Sequence, residues 1–410
     1  MNILIVGVSG FIGRHIYDAL MHKGHHVIGC SRSEVANINW QKLDFSQSTE
    51  EWQQQLSNID IVINAVGIYQ QSASQSFSLV HDMGPKKLFA ACEKLAVKVI
   101  QISAIGAEQE QPVTEFLRSK RNADQVLLES DVSNVVLYPG IVLGEEGRST
   151  RQLSVLARLV CMPLVFGRDK ALPMISIDQL TQRVVEIVQQ WPTSKKAQVV
   201  VAKPETMEAL LNNLRRWMGL GKGWFFAVPK PLINLLFWLF PALSVGAFNK
   251  QSIEMLSSTS KTVYEPVSDE TASVSLLKNK ASARFNKAMK LRILFYINMM
   301  VLSFIWIASG MVSLINFEQS REILSLMGVS GHFGDALIVV ASIGDILLGI
   351  LLFVPALRRG VIIIQISAIV IYSLIITIFV PLFWLHPFAP VIKNGAMIVL
   401  ALYLLIEEKE

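Results

Sequence analysis

Cysteine is scarce in this chain of 410 residues. Its three cysteines, Cys30, Cys92 and Cys161, lie far apart and form no C-x-x-C pair. Zinc and thiol-redox motifs therefore have no basis, no metal site is expected, and buried, reduced thiols are the expected state. Charge is scarce as well. Asp, Glu, Lys and Arg make up 17% of the residues against 52% hydrophobic ones, and the mean hydropathy is +0.44. That balance excludes an ordinary water-soluble chain. The formal charge is only +5, with no long Lys/Arg run and no basic–aromatic interleaving, which excludes a nucleic-acid partner. The opening MNILIVG has no basic flank and no cleavage site. It does not read as a secretory signal, so the globular part is expected in the cytoplasm.

What is present is unevenly spread. The length suggests two or three domains. Up to about residue 289 the text alternates strand and helix signals; from 291 onward it is mostly Leu, Ile, Val, Phe and Met. Six short apolar runs, NILIVG, HHVIGCSR, INWQKLDF, IDIVINAVG, VKVIQISAIGA and NVVLYPGIVLG, are separated by helical or polar stretches. Continuous apolar strands of this kind predict an α/β fold, a doubly wound parallel sheet covered on both faces. The region 145–260 reads as a smaller mixed subdomain, and 261–290, rich in Ser, Ala and Lys, as a linker. The histidine-rich HKGHH (His22, His25, His26) reads as a turn between a helix end and a strand start.

Four apolar segments follow, at 293–315, 336–354, 361–382 and 391–405. Most reach the ~20 residues a helix needs to cross a bilayer, which predicts an all-α transmembrane domain of four helices over 291–410, with the lipid bilayer as partner. Lys287, Lys290 and Arg292 flank the first segment, and Arg358 and Arg359 sit between the second and third. The positive-inside rule then places both termini in the cytoplasm, in a multi-pass protein of the inner membrane. The Pro-broken stretch 224–248 reads as an interfacial element or a buried helix. Asp345, inside the second segment, is expected to face the bundle interior, with Gln365 and Asn394 as candidate polar partners.

The sharpest local motif is GVSGFIG. Gly7, Gly10 and Gly13 follow the first strand and open the first helix, so Gly7, Ser9, Gly10, Phe11, Ile12 and Gly13 are the expected dinucleotide contacts. The second strand ends in Ser31 and Arg32, with no acidic residue before Glu34. An Arg suits a 2′-phosphate, so NADP(H) is favoured and NAD(H) is the alternative.

With these motifs in register, residues 1–260 resemble the extended or atypical short-chain dehydrogenases/reductases. The resemblance implies cofactor contacts from Asp44 and Phe45, from Asn64, Ala65, Val66 and Gly67, and from Tyr138, Pro139 and Gly140. It places Ser103 at the catalytic serine position and Lys120 at the catalytic, ribose-holding lysine. QISAIGA and FLRSKRNADQVL most resemble the NADPH-binding accessory subunit of respiratory complex I and its bacterial relatives. The membrane half, with HPFAPVIKNGAM before its last segment, is similar to the DoxX-like family.

One residue departs from that pattern. Carbonyl reduction needs a proton donor, usually a Tyr four residues before the Lys, and here that position is Phe116. Three readings stay open. Another donor acts (Tyr69, His81 or water); or the acceptor is quinone-like and needs no Tyr; or the nucleotide is bound without turnover by an assembly factor or redox sensor. An apolar substrate or a membrane-protein partner is the corresponding expectation.

Overall fold

The strand β1 (Asn2–Val6) shows how the first unit is built. Ile3 and Ile5 point to one face of the sheet and Leu4 and Val6 to the other, and all four are fully buried. A strand that buries both faces must lie inside a three-layer stack. In this computed structural model the described residues are 1–42, 44–68, 71–72, 75–164, 171–227, 229, 264–385 and 390–407. Those up to Phe285 form one compact unit and those from Asn286 onward another.

In the first unit β1 is joined by β2 (His26–Ser31), β3 (Trp40–Lys42), β4 (Ile61–Asn64), β5 (Lys98–Ile102) and β6 (Asn134–Pro139). The helices between them are α1 (Phe11–His22), α2 (Thr49–Gln55), α3 (Gly84–Lys94) and α4 (Glu115–Glu129). A seventh strand, Lys196–Val200, pairs in parallel with β6. It lies within the stretch expected to form the small subdomain, but Val200 is fully buried and the strand completes the main sheet. The order runs from that strand through β6, β5, β4, β1 and β2 to β3, all parallel. The direction of winding reverses between β1 and β4, so a crevice opens at their carboxyl ends. One face packs on α1 and a helix at Ile177–Gln189, the other on α2, α3 and α4. Each Leu, Ile or Val buried there contributes about 1.5–3 kcal/mol.

Local signals fix the helix starts. Ser48 and Glu51 form a capping box on α2, Thr114 caps α4 by accepting from the Leu117 N–H, and Ser176 with Gln179 forms a second box on Ile177–Gln189.

The stretch read as a linker is partly structured. A strand at Ser268–Thr271 pairs with Ala202–Lys203, and a helix at Ala272–Leu277 packs behind it. Its serines are the reason. Ser273 donates to Glu205 at 2.7 Å and accepts from the Asn213 amide, and Ser176 donates to Ser275. The Pro-broken stretch 224–248 lies mostly outside the described residues.

The second unit is helical. Three helices, Ala283–Ile315, Gly331–Leu351 and Pro355–Phe379, are long and apolar enough to cross a membrane. Their flanks expose Phe304, Val340 and Ile378, each about 70% accessible, as lipid-facing surfaces do. The fourth, Pro390–Glu407, has 18 residues. A helix at Phe317–Leu326, not expected from the sequence, carries Arg321, whose guanidinium makes a two-pronged pair with Asp335 at 2.8 and 3.0 Å. Polar side chains tie the bundle together. Ser303 donates to the Gly349 carbonyl and Asn394 to Ser373. Asp345 accepts from the Tyr372 hydroxyl at 3.4 Å, while Gln365 donates to the Leu348 carbonyl. Tyr372, and not the candidate partners Gln365 or Asn394, thus donates to Asp345.

Candidate functional site

The site is assembled where β1, β4 and β5 end. Gly7 has φ +95°, and a Cβ on it would come within 2.9 Å of Val66. Its N–H bonds the Cys30 carbonyl and its carbonyl accepts from Gly10, which closes the turn. A Cβ at Gly13 would collide with the Gly7 carbonyl, so α1 packs directly on the turn that precedes it. Gly10 occupies the N-cap of α1 with no side-chain cap, and the first turn holds no acidic residue. The free N–H groups and positive dipole end of α1 thus fit a pyrophosphate. Ser9 is exposed in this turn, Ile12 packs on the core, and the Phe11 ring lies where Gly144 and Gly147 leave room for it.

Across the crevice, Asn64 is buried and turned inward. Its amide donates to Gln101 at 2.8 Å, and its oxygen accepts from the Val66 N–H. It fixes the Ala65–Val66–Gly67 segment from below. Lys120 comes from α4, 96% buried, and donates to the Val66 and Ile102 carbonyls, both at 3.1 Å. This lysine pins the ends of β4 and β5 together beside Gly67 and Ser103. Burial pulls its ammonium down to about 8, partly offset by Asp124.

Ser103, at the end of β5, donates its hydroxyl to Asp124, which is 99% buried on α4. The other Asp124 oxygen accepts from Gln101 at 3.1 Å. Burial pushes this carboxyl up to about 6, against the hydrogen bonds from Ser103 and Gln101 and the charges of Lys120 and Arg121. Asp124 was missed at the sequence level. It follows Lys120 by four residues, the spacing that separates Lys120 from Phe116, so all three share one face of α4.

Phe116 packs edge-on against Phe77 and His81, with centroids 5.9 and 5.3 Å away. His81 is fully engaged. Its Nε2 accepts from the Ile68 N–H at 2.9 Å, so its Nδ1 carries the proton and donates to Ser119, which donates on to the Phe116 carbonyl. Burial, with Lys120 nearby, holds its pKa down to about 2. His81 is thus a neutral structural residue and not the alternative donor. Tyr69, the other candidate, lies outside the described residues.

The remaining expected contacts divide by exposure. Arg32 is exposed after β2. Ser31 is buried, donates to the Ser33 carbonyl and accepts from Trp40, so its hydroxyl shapes this turn. Asp44 is exposed and accepts from both the N–H and hydroxyl of Ser46. Phe45 is buried against Gly84 and Trp52. Tyr138 is buried in β6, and burial raises its pKa. The Pro139 carbonyl accepts from Ile105, and Gly140 lets the backbone at Pro173 approach. Among the described residues no group of three or more His, Cys, Asp or Glu side chains is placed to hold a metal.

Comparison with known proteins bears on both units. Residues 3–161 match the NAD dependent epimerase/dehydratase family, and residues 303–402 match the DoxX-like family. A ceramide reductase from Caulobacter vibrioides is 21% identical over 189 residues, which are 45% of this chain and 59% of that protein. The chain thus matches about three fifths of that relative's length. The UDP-glucuronic acid 4-epimerase of Bacillus cereus, solved with NAD, has 17% identity and a TM-score of 0.51, over 70% of this chain and 99% of that one. The structure of gox2253 gives 15% and 0.52, over 70% and 98%. At these identities the likeness to solved structures is one of fold. The chain therefore joins an NAD(P)-binding domain of the epimerase/dehydratase, short-chain dehydrogenase/reductase type to a C-terminal membrane domain of the DoxX-like family.

Proposed function

We propose that this protein is a membrane-anchored, NADP(H)-preferring oxidoreductase that acts on an apolar carbonyl or quinone-like substrate. The observation that carries the reading is the meeting of Ser103 and Lys120 at the ends of β4 and β5, beside the glycine turn. Two of the three Lys120 N–H bonds go to carbonyls, and the third suits a ribose hydroxyl. The ceramide reductase relative supports reduction of a lipid-like molecule, and a membrane domain suits a substrate that partitions into the bilayer. Arg32, exposed after β2, supports a 2′-phosphate. The basic residues Lys287, Lys290, Arg292, Arg358 and Arg359 support a cytoplasmic reductase domain and C-terminus in the inner membrane.

Phe116 favours a second reading, a non-catalytic NADP(H)-binding assembly factor or redox sensor. Purified full-length protein in detergent, given NADPH with menadione or a long-chain ketone, separates the two. NADPH oxidation above background supports the enzyme, and tight NADPH retention without oxidation supports the sensor. Cofactor choice is tested separately. Arg32→Ala should weaken NADPH binding about tenfold or more, the worth of a charge-assisted contact, and leave NADH binding nearly unchanged. Equal loss for both, measured by titration of cofactor fluorescence, rejects the assignment.

A further inference from the structure

The geometry points to Ser103 and Asp124 as the proton relay that stands in for the missing tyrosine, with Asp124 supplying protons to the substrate oxygen through the Ser103 hydroxyl. This rests on the oxidoreductase reading above.

Three features carry it. Ser103 follows the carboxyl end of β5, one strand from the crevice between β1 and β4, and its hydroxyl is directed onto Asp124. Asp124 is 99% buried and reaches the crevice through that hydroxyl. Its second oxygen is fixed by Gln101, whose own oxygen is fixed by Asn64, so the chain Asn64–Gln101–Asp124–Ser103 is ordered from end to end. The charged and titratable groups facing it are Lys120 and Arg121 on α4, Tyr138 on β6 and Glu108, which acts on Tyr138, in the loop after β5. Burial outweighs the two cations and holds Asp124 near 6, close to working pH, where an acid–base group is most effective.

A reduced nicotinamide, which the glycine turn and Lys120 would hold, would supply the hydride for the new C–H bond, leaving the carbonyl π pair on the substrate oxygen. That oxygen takes the Ser103 proton. Ser103 recovers a proton from the Asp124 carboxylic acid, and the carboxylate left behind is reprotonated through the same Ser103 hydroxyl by water that enters once the product has left. In alcohol oxidation the same path runs backwards, with the Asp124 carboxylate as the final acceptor.

Two measurements on the full-length protein in detergent test the relay. The first needs no turnover. Infrared titration should show a buried carboxylic acid C=O stretch that titrates near pH 6. The band should vanish in Asp124→Asn and move to higher pH in Ser103→Ala, because the serine hydrogen bond favours the carboxylate. A band at ordinary carboxylate pH, or one that Ser103→Ala leaves in place, overturns the pairing. The second is the pH profile of menadione or long-chain ketone reduction by NADPH. Wild-type kcat should fall about tenfold per pH unit above the inflection near 6. Asp124→Asn should lose that inflection and at least tenfold in kcat with little change in KM for NADPH. Phe116→Tyr in the Asp124→Asn background should restore part of the rate. Should Asp124→Asn fail to fold, the wild-type and Ser103→Ala profiles decide. Oxidation with an unaltered profile in Asp124→Asn overturns the relay and leaves the reductase reading standing. No oxidation by the wild type overturns both.

Discussion

Burial decides which ionisable side chains around Phe116 can act. His81, Lys120 and Asp124 lie within one cluster, and His81 has one ring nitrogen held by the Ile68 N–H and the other by Ser119. Its pKa is held near 2, while an unfolded histidine titrates near 6.5. As pH falls below 6.5 the unfolded chain therefore binds a proton that the folded chain refuses. Stability drops with falling pH in that window, by up to about 1.4 kcal/mol per unit, and is untouched above it. His81→Gln should lose about 1–2 kcal/mol at pH 8 through its hydrogen bonds. The gap to wild type should shrink toward pH 5. Urea unfolding at both pH values checks this, and a constant gap contradicts it. At this scale the sequence was readable where spacing carries meaning, as for Lys120 four residues after Phe116. It was silent on His81, whose neighbours come from 13 and 38 residues away. Asp124 was readable in principle, since its four-residue offset from Lys120 is visible in the bare sequence.

Elements come next, and the turn between β1 and α1 shows how tightly they are coupled. The first helix packs so closely on its own entry turn that a methyl group at position 13 has no place to go. Gly13→Ala should cost about 1–3 kcal/mol and weaken NADPH binding, whereas Gly221→Ala, with nothing within 4 Å, should stay within about 0.5 kcal/mol. Thermal unfolding and cofactor titration of the two variants provide the comparison. The central parallel strands could be read directly, because strands buried on both faces are written as continuous apolar runs, whereas β3 sits at the sheet edge with no buried residue. The strand at Lys196–Val200 falls within the stretch read as the small subdomain and instead pairs with β6, since a pattern of burial does not say which neighbour supplies it. The pieces at Ser268–Thr271 and Ala272–Leu277 were hidden. Their burial rests on serines meeting Glu205, Asn213 and Ser176, and polar composition looks the same in a solvated linker.

At the scale of the whole molecule, the apolar flanks of the second unit require lipid. The protein should stay in the membrane fraction through alkaline carbonate and leave it only with detergent. A fluorescent reporter joined after Glu410 should be active, and a phosphatase joined there inactive, if the C-terminus faces the cytoplasm; the opposite pattern reverses the proposed orientation. The helix at Ala283–Ile315 has 33 residues, about 50 Å, against a hydrocarbon core of about 30 Å. Its surplus falls on the basic end, which carries Arg284, Lys287, Lys290 and Arg292.

The pairing of Ala202–Lys203 with Ser268–Thr271 also sets an order in time. A ribosome adds roughly 5–20 residues per second, so the second strand is made several seconds after the first. Until then Glu205 waits without Ser273. Only five residues separate the end of the Ala272–Leu277 helix from the start of the first membrane-length helix. The nucleotide domain therefore receives its last pieces just as the chain begins to enter the bilayer, and its maturation and membrane insertion are consecutive events of synthesis.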